Sequence, residues 1–124
     1  MRMYRIQFKL MRLTDVSNPL SWFFQLSNHL ADQLFISRPM YDSDDGEWSI
    51  TKLVIVKERT EIWIDIVLDA QCWVWLRLRG KGNRPSAEAL EKAMEWEATV
   101  AEVIEKNRRL FLINHLTDGS KQGR

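Results

Sequence analysis

The chain has 124 residues, 45% of them hydrophobic and 28% charged, and a formal net charge of +1 at pH 7. This length predicts one domain over 1–117 followed by a disordered tail over 118–124, and the near-zero charge by itself selects no partner. The one cysteine, Cys72, excludes an intrachain disulfide. Because reduced thiols are typical of the cytoplasm, we expect a cytoplasmic protein. The longest uncharged run, 16–31, is too short and too polar to span a membrane.

The first two predicted elements are a strand and an amphipathic helix. Residues 3–13 alternate between apolar and polar side chains, which is the period of a strand. Asn18 and Pro19 then predict a helix start, because the Asn side chain can cap the first turn and the Pro ring lacks the N–H that this turn leaves unpaired. The apolar side chains that follow recur every three or four residues: Leu20, Phe23, Phe24, Leu30, Ala31, Leu34 and Phe35.

The middle of the chain predicts three antiparallel strands joined by tight turns. Residues 38–48 form a predicted loop, and strand-like runs follow over 48–57, 60–68 and 72–79. The intervening segments are short enough for hairpins, with a two-residue turn at Glu58 and Arg59 and a three-residue turn over 69–71. The acidic loop "DSDDGEW" lacks the ligand spacing of an EF-hand, so we interpret it as a solvated turn.

A second helix completes the predicted fold. Pro85 and Ser86 begin it, and its pattern of Ala, Glu and apolar residues extends to about Arg109. Residues 110–117 fit either an extension of this helix or a final edge strand. The order β-α-β-β-β-α predicts an α+β two-layer sandwich, in which an antiparallel sheet packs two helices on one face.

The predicted strand register separates an aliphatic face from an aromatic one. Pairing Ile66 with Val74 and Ile64 with Leu76 makes an aliphatic face on which both helices can pack. The same register places Trp63 opposite Arg77, a cation–π pair, and Glu61 opposite Arg79. A two-residue turn at 58–59 places Val54 opposite Trp63 and Lys52 opposite Asp65. The second face then collects Trp48, Ile50, Val54, Val56, Trp63, Val67, Trp73 and Trp75.

This aromatic face is too apolar to stay uncovered in water. Four covers are open: a segment of the chain itself, a second copy packed sheet to sheet, another protein, or nucleic acid. Trp and Arg are the residues that dominate protein–protein hot spots. The predicted partner-binding residues are Trp48, Val54, Trp63, Trp73, Trp75, Arg77 and Arg79.

Nucleic acid is the alternative partner. Basic side chains beside stacking aromatics are how sheets hold single strands, and the loop over 77–84 is basic. The predicted phosphate contacts are Arg5, Lys9, Lys81 and Arg84. Against this alternative, the aromatic signature of RNA-recognition sheets is absent, and the Trp residues alternate with Val and Ile as in a dry interface.

The sequence argues against catalysis. No nucleophile motif, phosphate-binding loop, dinucleotide fingerprint or zinc spacing is present, and the histidines His29 and His115 are far apart in the sequence. We therefore predict no catalytic residue, metal or cofactor. The predicted function is that of a small cytoplasmic interaction module: an adaptor, or an inhibitor of a larger protein machine such as a phage- or plasmid-borne antagonist.

Overall fold

The computed structural model describes residues 2–34 and 36–108, apart from the side chains of 32–34. The segment 110–117 and the predicted tail 118–124 lie outside the described residues. The elements are β1 (Met3–Arg12), α1 (Pro19–Leu34), β2 (Met40–Asp42), β3 (Glu47–Val56), a 3₁₀ turn (Lys57–Arg59), β4 (Thr60–Leu68), β5 (Trp73–Lys81) and α2 (Ala87–Lys106). The predicted order is confirmed, with β2 as an additional short strand.

The strands form one antiparallel sheet in the order β1-β5-β4-β3-β2. Phe23 and Leu26 of α1 and Val100 of α2 share a buried cluster with Ile64 and Leu76 of the sheet. Both helices therefore pack on the same side, and the predicted two-layer α+β architecture is confirmed.

Both helices begin where the sequence predicted. The Ser21 N–H donates to Asn18 Oδ1 at 3.0 Å, and the Ala89 N–H donates to Ser86 Oγ at 3.1 Å. Each cap satisfies a donor that the first helical turn leaves unpaired. Neither helix, within the part of the chain that the structure describes, is long and apolar enough to cross a membrane.

The short strand β2 was predicted as loop. Met40 pairs with Ser49 across a hairpin whose turn is closed by the Gly46 N–H donating to the Asp42 carbonyl at 2.8 Å. The Asp44 N–H also donates to Asp42 Oδ1 at 2.9 Å, which is the local Asx geometry that favours turns. A strand of three residues is too short to show an alternating pattern, so the sequence displayed only its turn.

One glycine is required by close packing rather than by a turn. Gly80 of β5 pairs with Tyr4 of β1, and a Cβ at this position would overlap the Tyr4 ring and hydroxyl. The glycine thus leaves room for the ring to lie flat across its neighbouring strand, where Tyr4 is buried. Burial raises the pKa of the Tyr4 hydroxyl above its ordinary value.

The predicted register between β4 and β5 is wrong by two residues. Ile64 pairs with Leu78, and Asp65 pairs with Arg77. The connection between the two strands spans 69–72, with Cys72 at φ +67°, instead of the predicted 69–71. Because side chains alternate with period two, a shift of two residues changes every cross-strand partner but leaves each residue on its predicted face.

The predicted register between β3 and β4 is wrong by one residue, which has larger consequences. Val56 pairs with Thr60, so the loop includes Lys57 as well as Glu58 and Arg59. The one-residue shift turns each side chain of β3 to the face of the sheet opposite to the predicted one. Thr51, not Lys52, now lies opposite Asp65, while the Lys52 Nζ lies 5.6 Å from the ring centroid of Trp96 on α2.

Candidate interaction surface

The side of the sheet opposite the helices is here called the open face. Both helices of the described chain pack on the other side, so neither covers it. The cross-strand pairing places the following residues on it: Met3, Arg5, Gln7, Lys9 and Arg12 of β1; Trp73, Trp75, Arg77, Arg79 and Lys81 of β5; Glu61, Trp63, Asp65 and Val67 of β4; Glu47, Ser49, Thr51, Leu53 and Ile55 of β3; Met40 and Asp42 of β2.

Trp73 and Trp75 lie on the open face, as predicted, and each is half-buried. The Lys9 Nζ lies 4.4 Å from the centroid of Trp73 and 5.4 Å from that of Trp75. The guanidinium of Arg12 lies 5.6 Å from the Trp73 centroid. The Trp75 indole N–H donates to Asp69 Oδ2 at 2.9 Å. Cations and a carboxylate therefore surround these indoles, and this part of the face is less apolar than the sequence predicted.

Trp63 also lies on the open face, but with a different cation and different neighbours from those predicted. The guanidinium of Arg79, not Arg77, lies 5.8 Å from its centroid. Leu53 pairs directly with it, and Leu53 and Ile55 are 48% and 66% exposed. These two aliphatic residues were predicted to lie in the core. Their true face follows from the three-residue loop over 57–59, which no local pattern of the sequence indicates.

Asp65 organises the polar centre of this face. Its carboxylate is only 2% exposed and accepts from Arg79 Nε at 2.7 Å and Arg79 Nη2 at 3.0 Å. The Thr51 hydroxyl donates to it at 2.7 Å, and the Arg77 Nη1 lies 4.0 Å away. A buried carboxylate is tolerated here because a two-pronged ion pair and a hydroxyl satisfy its oxygens.

Arg77 is a buried structural residue, 6% exposed. Its Nη2 donates to Glu47 Oε1 at 2.6 Å, and its Nε donates to Gln7 Oε1 at 3.1 Å. Since β4 lies between β3 and β5, the pair of Arg77 with Glu47 must cross β4, which accounts for the complete burial of Val67 on this face. Arg77 therefore lies on the predicted face but exposes little of its side chain, and its contact with a partner stays a prediction.

Two other predicted partner-binding residues lie on the side of the sheet that faces the helices, opposite to the predicted side. Trp48 and Val54 lie on the helix face, because of the one-residue shift of β3. The Trp48 ring meets Phe24 of α1 edge to face at 5.4 Å and lies 5.1 Å from the Tyr41 ring of β2. Val54 packs against the core. Ile50 and Val56, which were predicted to share the open face with Trp48 and Val54, also lie on the helix face.

The predicted phosphate contacts are only partly brought together. Arg5, Lys9 and Lys81 share the open face, and Arg5 lies 3.5 Å from Glu47. Arg84 lies apart, in the exposed loop before α2. The Gly82 N–H in that loop already donates to the Arg2 carbonyl at 2.8 Å, so this backbone donor is not available to bind a phosphate.

Metal-ligating groups do not converge among the side chains that the structure describes, which are those of 2–31 and 36–108. No group of three or more His, Cys, Asp or Glu side chains there could hold a metal ion. The Cys72 thiol is free and half-buried in the turn before β5. His115 lies outside the described residues.

The surface is thus a flat sheet face with an exposed aliphatic zone at β3, an ion-paired centre, and an aromatic and basic zone at β1 and β5. Comparison with known proteins adds no assignment: no protein-family model, curated protein or solved structure matches this chain.

Proposed function

We propose that this chain is a small non-enzymatic module that binds another protein through the open face. The observation that carries the proposal is the half-burial of Trp63, Trp73 and Trp75 on the sheet face opposite both helices, next to exposed Leu53 and Ile55. Large apolar side chains grouped on one face are typical of binding surfaces, because a partner that covers them removes them from water.

The polar centre favours a rigid surface. The bonds of Asp65, Arg77 and Arg79 tie long side chains to partners on neighbouring strands within the chain itself. Binding to side chains that are already ordered loses less conformational entropy, so a small surface can still support useful affinity. An adaptor, or an inhibitor of a larger protein machine in the cytoplasm, fits this description.

The test is a comparison of two purified variants with the wild type. A protein enriched by the wild-type chain from its native host should, once purified, bind Trp73→Ala about tenfold more weakly or worse, because the lost indole is part of the contact. Binding is measured by calorimetry, and light scattering decides whether the second molecule is another copy of this chain.

Met94→Ala is the matched control, because Met94 is apolar and 69% exposed but lies on α2, away from the open face. It should bind as the wild type does. Thermal melts of both variants exclude unfolding as the cause. A partner that responds to Met94→Ala and ignores Trp73→Ala would contradict the proposal.

Single-stranded nucleic acid is the second candidate, favoured by the position of Lys9 over both Trp73 and Trp75. Basic side chains beside indoles match the way in which sheets stack bases and neutralise phosphates. We expect oligo-dT or oligo-U to quench the Trp fluorescence, with affinity that falls steeply as salt increases. Lys9→Glu should abolish the quenching, and wild-type fluorescence that does not change at low salt would exclude this candidate.

A further inference from the structure

The outer edge of β3 carries backbone groups that point away from the sheet. The Thr51 N–H donates to Ser37 Oγ at 2.8 Å, and the Ser37 N–H donates to the Thr51 carbonyl at 3.1 Å. Both backbone groups of Thr51 therefore point outward, away from β4. Because the direction alternates along a strand, those of Leu53 and Ile55 point outward too. Within the described chain, no strand pairs with this part of β3, since β2 begins opposite Ser49.

Among the residues that the structure describes, none gives this edge the usual protection. Natural sheets block free edges with bulges, prolines or charged side chains. The opposite edge, β1, follows that rule, with a register shift between Lys9 and Met11 and charged residues along its open face. In contrast, β3 is paired regularly with β4 from Trp48 to Val56, and its free part presents Leu53 and Ile55.

A shallow groove runs beside this edge on the open face. Its volume is about 670 Å³, and it extends from β2 to the start of the free part of β3. Its lining residues are Ser37, Met40, Tyr41, Asp42, Ser43, Ser49, Thr51, Leu53 and Trp63. A strand added beside Leu53 and Ile55 would place every second side chain on the open face, and the first of these would reach the end of the groove formed by Leu53 and Trp63. Apolar or β-branched side chains suit the walls that Leu53 and Trp63 form, whereas Ser37, Asp42, Ser43, Ser49 and Thr51 make the rest of the groove polar.

Charge argues against a second copy as the occupant. Arg38 follows Ser37 at one end of the free edge, and Lys57 and Arg59 follow Val56 at the other; all three are exposed. Two copies paired antiparallel through β3 would bring Lys57 and Arg59 of each towards Arg38 of the other. Glu58, in the same turn, offsets only part of this repulsion. Carboxylates at the ends of a foreign strand would instead be attracted.

We propose that the free edge of β3 binds an extended segment of another protein as an added strand, with apolar residues at alternate positions and acidic residues at its ends. This proposal rests on the proposed function, because it requires a protein partner, and it names the partner's chemistry. Backbone hydrogen bonds to Leu53 and Ile55 supply affinity, while the groove and the flanking cations supply selectivity.

The test is amide hydrogen exchange by NMR with a synthetic peptide in which valine and threonine alternate between terminal pairs of aspartates. At saturating peptide, exchange of the Leu53 and Ile55 amides should slow by about tenfold or more, because they become bonded. The Lys52 and Val54 amides are the internal control, since they face β4 and are already paired. A peptide with lysine in place of aspartate should bind about fivefold more weakly or worse.

Ile55→Pro removes an outward N–H without removing a bond to β4, and it should abolish peptide binding. Ile55→Ala, which keeps the amide, should retain most of it. The lysine-flanked peptide requires no variant to fold, so the proposal stays testable if the proline variant unfolds.

Unchanged exchange at millimolar peptide would overturn the proposal, and so would equal binding of both peptides. Protection that increases with protein concentration alone would identify a second copy as the occupant, and protection in the dilute free chain would identify its own residues; both outcomes overturn the proposal. A partner that is lost with Trp73→Ala but binds Ile55→Pro with full affinity would leave the proposed function intact and refute only the edge site.

Discussion

Replacement of Asp65 by alanine is expected to lower the free energy of unfolding by about 3 kcal/mol or more, which is the usual effect of removing one partner from a buried ion pair. The Asp65 carboxylate holds both Arg79 and the Thr51 hydroxyl, and Arg77 lies at the limit of ion-pair distance. Without it, the buried guanidinium of Arg77 keeps only Glu47 and Gln7, and Arg79 loses its carboxylate.

The effect of Asp65→Ala is measured by chemical unfolding followed by far-UV circular dichroism, because the indoles near the site make fluorescence ambiguous. Glu61→Ala is the matched control: Glu61 is an acidic residue on the same strand and the same face, but exposed. It should change the free energy of unfolding by no more than about 0.5 kcal/mol. Equal effects of the two substitutions would mean that the network around Asp65 does not form.

Two isoleucines of β3 provide the second large effect. Ile50→Ala is expected to lower the free energy of unfolding by about 3 kcal/mol, because a fully buried side chain leaves a cavity in the core. Ile55→Ala should change it by no more than about 0.5 kcal/mol, because Ile55 lies exposed on the open face. The residue type, the substitution and the strand are the same, so only the face differs.

Chemical unfolding of both variants checks this pair directly. In the register predicted from the sequence, Ile55 lies in the core and Ile50 on the aromatic face, so the order of the two effects would be reversed. A larger effect at Ile55 would therefore favour the two-residue turn at 58–59 and contradict the three-residue loop over 57–59.

Because β3 presents other side chains than those predicted, the open face suits a different kind of partner. The sequence predicted a broad apolar surface with Trp48, Ile50, Val54 and Val56 on it, and the structure replaces these residues with Ser49, Thr51, Leu53 and Ile55. A fully apolar face would favour a permanent partner, as in obligate dimers. A face divided into apolar, ion-paired and basic zones is closer to the composition of interfaces that form and dissociate.

The sequence by itself determined the two layers of this protein and its described helices and strands except β2. The helix starts at Asn18 and Ser86 were predictable, because capping depends on a side chain and an amide within the same turn. Alternation along β4 and β5 likewise placed Trp63, Trp73 and Trp75 opposite the aliphatic core, since a register error of two residues leaves side-chain direction unchanged.

Only the tertiary structure decided which charges meet, which face β3 presents, and which strand edge is free. The face that β3 presents depends on one residue, Lys57, whose place in the turn or in the strand is not encoded by any local pattern. The charge partners between β4 and β5 depend instead on the two-residue shift of their own hairpin. In the observed pairing, Ile50 enters the core, and Thr51 lies opposite Asp65, to which its hydroxyl donates. The physical reason is that register is selected by the summed burial of a whole strand against its neighbours, which no local stretch of sequence contains.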